Sequence, residues 1–127
     1  MPRYFTLEEA NRTLEQVAPR VKQLLEIRKE LLEHHPELLP VLENIGHNGG
    51  SKIASQMVEQ FHILENLVHE IEATGALVKD INSGLLDFPS LREGREVYLC
   101  WQYGEDDIAY WHEVEDGYAG RQPIETF

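Results

Sequence analysis

Apolar residues recur at alternating spacings of three and four along the first part of the chain. They are Leu7, Ala10, Leu14, Val17, Val21, Leu24 and Leu31, with Arg28 in the remaining slot. That period places them on one stripe of a helix. The preceding Thr6-Leu7-Glu8-Glu9 has the form of a capping box, in which each end residue accepts from the other's backbone N–H. Phe5 and Ala10 stand at the staple positions. Pro19 interrupts the stripe and predicts a kink near Glu15. The helix is expected to end near Glu33. Residues 34–50 hold two prolines and three glycines and predict a long connection, with a short helix over Leu38 to Ile45. Ser51 is expected to cap a second helix that runs to about Ala73 and stops at Gly75. Its stripe is Ala54, Met57, Phe61, Leu64, Val68 and Ile71, widened by Ile53, Ile63 and Leu67.

After Gly75 the period changes. Residues 76–81 alternate as a strand, and Asn82-Ser83-Gly84 is turn chemistry. Residues 85–88 predict a second strand, stopped by Pro89, and residues 91–95 a polar connection. Residues 96–103 and 108–114, rich in β-branched and aromatic residues, predict a hairpin about Gly104-Glu105-Asp106-Asp107. Alternation puts Tyr98, Cys100 and Gln102 on one face of the first strand, and Val97, Leu99 and Trp101 on the other. On the second, Ile108, Tyr110 and His112 oppose Ala109, Trp111 and Glu113. Both faces carry large apolar groups, so the hairpin is expected to be covered by the helices on one side and by the tail or a second subunit on the other. Residues 115–127 show little periodicity. The pattern predicts an α+β fold: a long antiparallel helical hairpin (residues 1–75), then a small, mostly antiparallel β-sheet (residues 76–127).

A chain of 127 residues is the length of one domain. It can bury a sufficient core without a disulfide, and its single cysteine, Cys100, cannot make an internal one. No apolar run approaches the roughly 20 residues that cross a bilayer. The opening residues lack an apolar signal region. Eleven basic against 23 acidic side chains give a net charge of −12, which argues against a nucleic-acid partner. The expectation is a cytoplasmic protein without membrane or nucleic-acid contacts. Seven acids and one base, Arg121, fall in the last 26 residues.

Three constellations could carry chemistry. Asp87, Cys100, His112 and Glu113 fall on neighbouring strands and are the ligand types of zinc and other divalent transition metals. Their spacing matches no standard ligand motif, His112 and Glu113 face opposite ways, and a strand cysteine also serves as a small buried hydrophobe. On the second helix His62, Glu65, His69 and Glu72 share a face, and Glu59-x-x-His62 has the spacing of di-metal bundles; a solvated stripe explains the same pattern. In the tail, Gly117-Tyr118-Ala119-Gly120-Arg121-Gln122-Pro123 offers a guanidinium that could clamp a small anionic ligand or pin the tail to Glu105 or Asp87. No motif of a nucleophilic hydrolase, a phosphate-binding loop or a zinc protease occurs, so an enzyme is not the leading expectation.

The strings Val78-Lys79-Asp80-Ile81, Gly84-Leu85-Leu86-Asp87-Phe88-Pro89, Gly94-Arg95-Glu96-Val97-Tyr98-Leu99-Cys100-Trp101, Gly104-Glu105, Tyr110-Trp111-His112-Glu113 and Gly117 to Ile124 resemble the prokaryotic family of unknown function DUF2203. The opening Tyr4 to Asn11 is similar to that family's start. The resemblance implies a small cytoplasmic bacterial protein and no particular reaction. It singles out Asp87, Arg95, Cys100, Trp101, Glu105, His112 and Arg121.

The function these features favour is a non-enzymatic binding module acting as a homodimer. Its binding residues are taken as Asp87, Arg95, Trp101, Glu105, Trp111, His112 and Arg121, with the contact or pocket around the two tryptophans. Leu25, Leu32, Ile53, Ile63 and Leu67 lie beyond the helical seam and motivate the dimer. The alternative is a metal-binding protein or metal-dependent enzyme using His112 with nearby carboxylates, with Asp87, Cys100 and His112 as ligands.

Overall fold

The structure is a computed structural model and describes residues 3–43 and 57–127. Helix α1 spans Leu7–His34 and continues through Pro19. Both halves of the capping box form: Thr6 Oγ1 accepts from Glu9 N at 3.1 Å, and Glu9 Oε1 from Thr6 N at 2.9 Å. A 3₁₀ turn, Pro36–Leu38, and a short helix α2, Leu39–Leu42, occupy the start of the connection. Helix α3 spans Val58–Glu72. The expected cap Ser51 and the stripe members Ile53 and Ala54 lie outside the described residues, as does Ile45.

α1 and α3 pack on each other. The apolar stripes meet in the core, where Ala10, Val17, Val21 and Leu24 join Phe61, Leu64, Val68 and Ile71, all at most 1% exposed. Arg28, the polar member of the α1 stripe, donates from Nε to Asn82 Oδ1 at 2.6 Å. Leu67 belongs to the same core, and Leu25, Leu32 and Ile63 are partly buried against it. These four side chains are therefore used within the chain.

The strands form a five-stranded meander in the order β1-β2-β3-β4-β5, every neighbouring pair antiparallel. They are β1 (Leu77–Asp80), β2 (Leu85–Arg92), β3 (Arg95–Gln102), β4 (Tyr110–Glu113) and β5 (Gln122–Pro123). One face carries Val78, Leu86, Phe88, Leu99, Trp101 and Trp111 into the core shared with the helices.

The sequence reading is corrected at four places. The returning strand is Tyr110–Glu113 rather than residues 108–114, and Ile108, expected on the face of Tyr110 and His112, instead joins the core shared with the helices, its N donating to Asn11 Oδ1 of α1 at 2.9 Å. Pro89 does not stop β2, which runs through it to Arg92. The Pro89 carbonyl accepts from Phe5 N at 2.7 Å. In an extended strand the nitrogen of a residue faces the same side as its carbonyl, so Pro89 turns its missing donor away from β3 and costs no ladder bond there. The connection from Leu91 to Arg95 is a two-residue turn: Arg92 pairs with Arg95, and Glu93 and Gly94 both have positive φ, 53° and 81°. That is the type I′ turn whose twist suits a tight hairpin. The tail supplies a fifth strand. Ile124 N donates to Ala109 O at 2.9 Å, and Trp111 Nε1 to Thr126 Oγ1 at 2.9 Å. Its fixing groups are polar and spread apart, so it leaves no hydrophobic period in the sequence.

Candidate metal centre

Register decides what the sheet's outer face carries. Leu77 pairs with Asp87, Asp87 with Cys100, and Cys100 with Tyr110. The next row aligns Pro89, Tyr98 and His112. Directly paired residues share a face, as do residues two apart along a strand. Asp87, Cys100 and His112 therefore project together from β2, β3 and β4, away from the helices. They are 3%, 0% and 2% exposed, and their nearest N, O and S atoms all lie within 4.8 Å of one another.

The hydrogen bonds define a protonation state. His112 Nδ1 lies 2.8 Å from Glu113 O. A carbonyl only accepts, so Nδ1 carries a hydrogen. His112 Nε2 lies 2.9 Å from Asp87 Oδ1, and that contact holds one further proton, on either atom. Burial pushes the imidazole pKa down, but the hydrogen bonds to Asp87 and the Glu113 carbonyl and the Asp87 charge outweigh it, leaving the value above the ordinary 6.5. Burial, with the Asp87 charge, pushes the Cys100 thiol up to about 12, against an opposing pull from Arg121. A thiol so placed is not a ready nucleophile, because the thiolate is the reactive form.

Tyrosines with cations on their faces enclose the cluster. The Tyr98 ring packs edge-on against His112, centroids 5.5 Å apart, and Lys79 Nζ sits 4.8 Å from the Tyr98 ring centre. On the other side, Arg121 Cζ lies 3.9 Å from the ring centre of Tyr110, the cross-strand neighbour of Cys100, and 4.7 Å from that of Tyr118. Arg121 Nη2 donates to both oxygens of Glu105, at 2.8 and 2.7 Å. Glu105 Oε1 also accepts from Gln102 N at 2.6 Å. A surface cavity of about 480 Å³, lined in part by Leu77, Pro89 and Tyr98, flanks the cluster on the β1 side.

The residues singled out from sequence separate into groups. Asp87, Cys100 and His112 converge, with Glu105 and Arg121 beside them. Trp101 and Trp111 lie on the opposite face, each 2% exposed, inside the core; they form no open contact or pocket. Arg95 sits at the β2–β3 hairpin end, where Nε and Nη2 bind the two oxygens of Glu113 at 2.9 and 2.7 Å. That Glu113 carboxylate faces away from His112, and only its carbonyl serves the cluster. The α3 stripe gathers no site: among the described residues, the one group of metal-ligand type is Asp87, Cys100 and His112. Tyr98 and Tyr110 were missed, although alternation already placed them on the face of Cys100 and His112. Lys79 and Tyr118 carried no comparable signal.

Helices on one face of an antiparallel meander, and a buried Asp–Cys–His cluster on the other, define a small α+β protein with a candidate metal centre. The chain belongs to the DUF2203 family, whose model, described as "Uncharacterized conserved protein (DUF2203)", matches residues 3–124. No curated protein and no solved structure matches it.

Proposed function

We propose that this protein is a binding module for one divalent transition metal, zinc being the reference case, held by Asp87, Cys100 and His112. The observation that carries the reading is the convergence of three ligand atoms within 4.8 Å on one buried patch. Around tetrahedral zinc, bonds of roughly 2.0–2.3 Å set neighbouring ligand atoms roughly 3.3–3.7 Å apart, so the side chains need only small adjustments. The His112 Nδ1–H bond to the Glu113 carbonyl fixes the ring with Nε2 toward the site, the outer contact usual for metal-bound histidine. Nitrogen, oxygen and sulfur ligands together suit zinc or another borderline metal over calcium or magnesium.

Charge supports the same reading. Without metal the cluster holds a thiol and an Asp87–His112 pair sharing one proton, a neutral set. A divalent ion replaces the thiol proton and the shared proton, and leaves a carboxylate, a thiolate, a neutral imidazole and two positive charges. The buried net charge is zero both ways, so exchange carries no uncompensated charge into the sheet face.

A reducing cytoplasm belongs to this proposal, since it keeps Cys100 available as a ligand. So does a helical hairpin: Arg3 Nη1 bonds Thr74 O just beyond α3 at 3.0 Å, and Arg20 Nε bonds Glu70 Oε2 at 3.2 Å, which supports α1 and α3 running antiparallel. A homodimer would use the exposed Leu91, Val114 and Tyr118 rather than the helical residues, and a 14.7 kDa particle in light scattering at high concentration contradicts it.

The test of the metal reading is elemental analysis of protein purified without chelator and of zinc-dialysed protein. One zinc per chain, lost in His112→Ala and Cys100→Ser variants that still fold by circular dichroism, supports it. Wild-type protein that retains no metal after dialysis overturns it.

A further inference from the structure

The three ligands rise from adjacent strands on one side of the sheet, so a metal they hold has its remaining coordination position directed outward. The layer on that side is built by Tyr110, Tyr118 and Arg121 next to Cys100, and by Tyr98 and Lys79 next to His112. Arg121 is the unusual member. Its side chain is only 10% exposed, its Cζ lies 3.9 and 4.7 Å from the ring centres of Tyr110 and Tyr118, and its Nε, fully buried, has no hydrogen-bond partner. Its contacts to Glu105 run through Nη2 alone. A guanidinium is suited to two-pronged recognition of a carboxylate or phosphate, and here part of that capacity is unspent in a buried setting where an unmet donor is costly.

The Glu105 carboxylate occupies the guanidinium as an external anion would. Its side chain is 25% exposed, so it has a path toward water. The metal with Asp87 and Cys100 is neutral, and an added anion brings negative charge that Arg121 can balance once Glu105 gives way.

We propose that the metal held by Asp87, Cys100 and His112 binds an exchangeable oxyanion at its outward position, and that Arg121 grips that oxyanion in competition with Glu105. The class is carboxylate or phosphate, alike in presenting paired anionic oxygens. The proposal rests on the metal reading, and one experiment separates the two.

Cobalt(II) is loaded into wild type, Arg121→Lys and Glu105→Gln, and visible and near-ultraviolet absorption is followed while inorganic phosphate or acetate is added in separate series at constant ionic strength. A thiolate-to-cobalt charge-transfer band reports ligation by Cys100; the visible ligand-field bands report the outward position. The expected result is a saturable change in the visible bands of wild type with at least one anion. It occurs at an anion concentration about tenfold higher in Arg121→Lys, which keeps the charge but not the planar fork, and lower in Glu105→Gln. The series that responds tells phosphate from carboxylate. An intact charge-transfer band with no anion response in wild type and Glu105→Gln overturns the inference and leaves the metal site standing. Equal responses in wild type and Arg121→Lys overturn the role of Arg121. Absence of the charge-transfer band in wild type overturns the metal reading and this inference with it.

Discussion

Arg121 Nη2 lies 2.8 and 2.7 Å from the two carboxylate oxygens of Glu105, which joins the tail to the loop after β3. Glu105 is itself pinned by Gln102 N and, through its carbonyl, by Trp101 Nε1 at 2.9 Å. The tail thus hangs on a carboxylate that the β3 end already holds. Arg121→Ala should leave that carboxylate short of a partner and remove a ring-stacked side chain. The expected loss is about 2 kcal/mol, below that of a fully buried pair because Glu105 still reaches water. Arg121→Lys should restore part of it. Urea melts of metal-free protein check this; superimposable curves for all three proteins would make the ion pair inconsequential for stability.

The α1 start gives a second prediction. Thr6 Oγ1 satisfies Glu9 N, a donor with no partner inside the helix. Thr6→Ala should cost about 1 kcal/mol, and Thr6→Ser much less. The denaturation midpoints report it, and an unmoved midpoint in Thr6→Ala contradicts the capping role.

Gly84 is a third. It has φ of 71°, and a Cβ placed there would sit 2.8 Å from Tyr103 Cβ and 3.0 Å from Val21 Cγ1. Backbone and packing both oppose a side chain where the β1–β2 turn rests on α1. Gly84→Ala should destabilise by roughly 2 kcal/mol, whereas Gly94→Ala, with nothing within 4 Å of the added carbon, should cost less. Thermal melts that rank the two in reverse order contradict the close approach.

The helices and the faces of the long strands were legible in the sequence because each is set by local period and capping. The site was legible as residue types but not as a place. Asp87 meets Cys100 only through the β2–β3 register, and that register depends on the two-residue turn at Glu93 and Gly94. From sequence, Pro89 reads as the end of a strand and residues 91–95 as a polar connection, and Glu93, an uncommon residue at positive φ, gives no sign of the tight turn. A one-residue slip would have turned Asp87 into the core. Trp101 and Trp111 misled in the other direction: large amphipathic side chains read as a contact surface, yet their N–H groups are satisfied internally and their rings fill the core. Arg121 and Glu105 stood out through charge contrast, the one base among seven acids.

The metal-free cluster should show in the pH dependence of stability. The folded His112 pKa is raised above 6.5. A raised pKa contributes stability that is fully present below the unfolded value and is lost as pH rises through the folded value. The stability advantage of wild type over His112→Gln, measured with chelator present, should therefore be largest below 6.5 and decline on the alkaline side of it. An advantage that grows with pH would mean that His112 is buried as the neutral ring without a proton shared with Asp87.

The most direct test is calorimetric titration of metal-free protein with zinc at about pH 6, repeated in two buffers of different ionisation enthalpy. At this pH the thiol and the Asp87–His112 pair both hold their protons, so the difference between buffers counts the protons that leave. One zinc should bind per chain, with about two protons released by wild type and a smaller release with weaker binding by Cys100→Ser. Zinc that fails to bind, or that binds without releasing protons and equally well to Cys100→Ser, would contradict a metal centre at Asp87, Cys100 and His112.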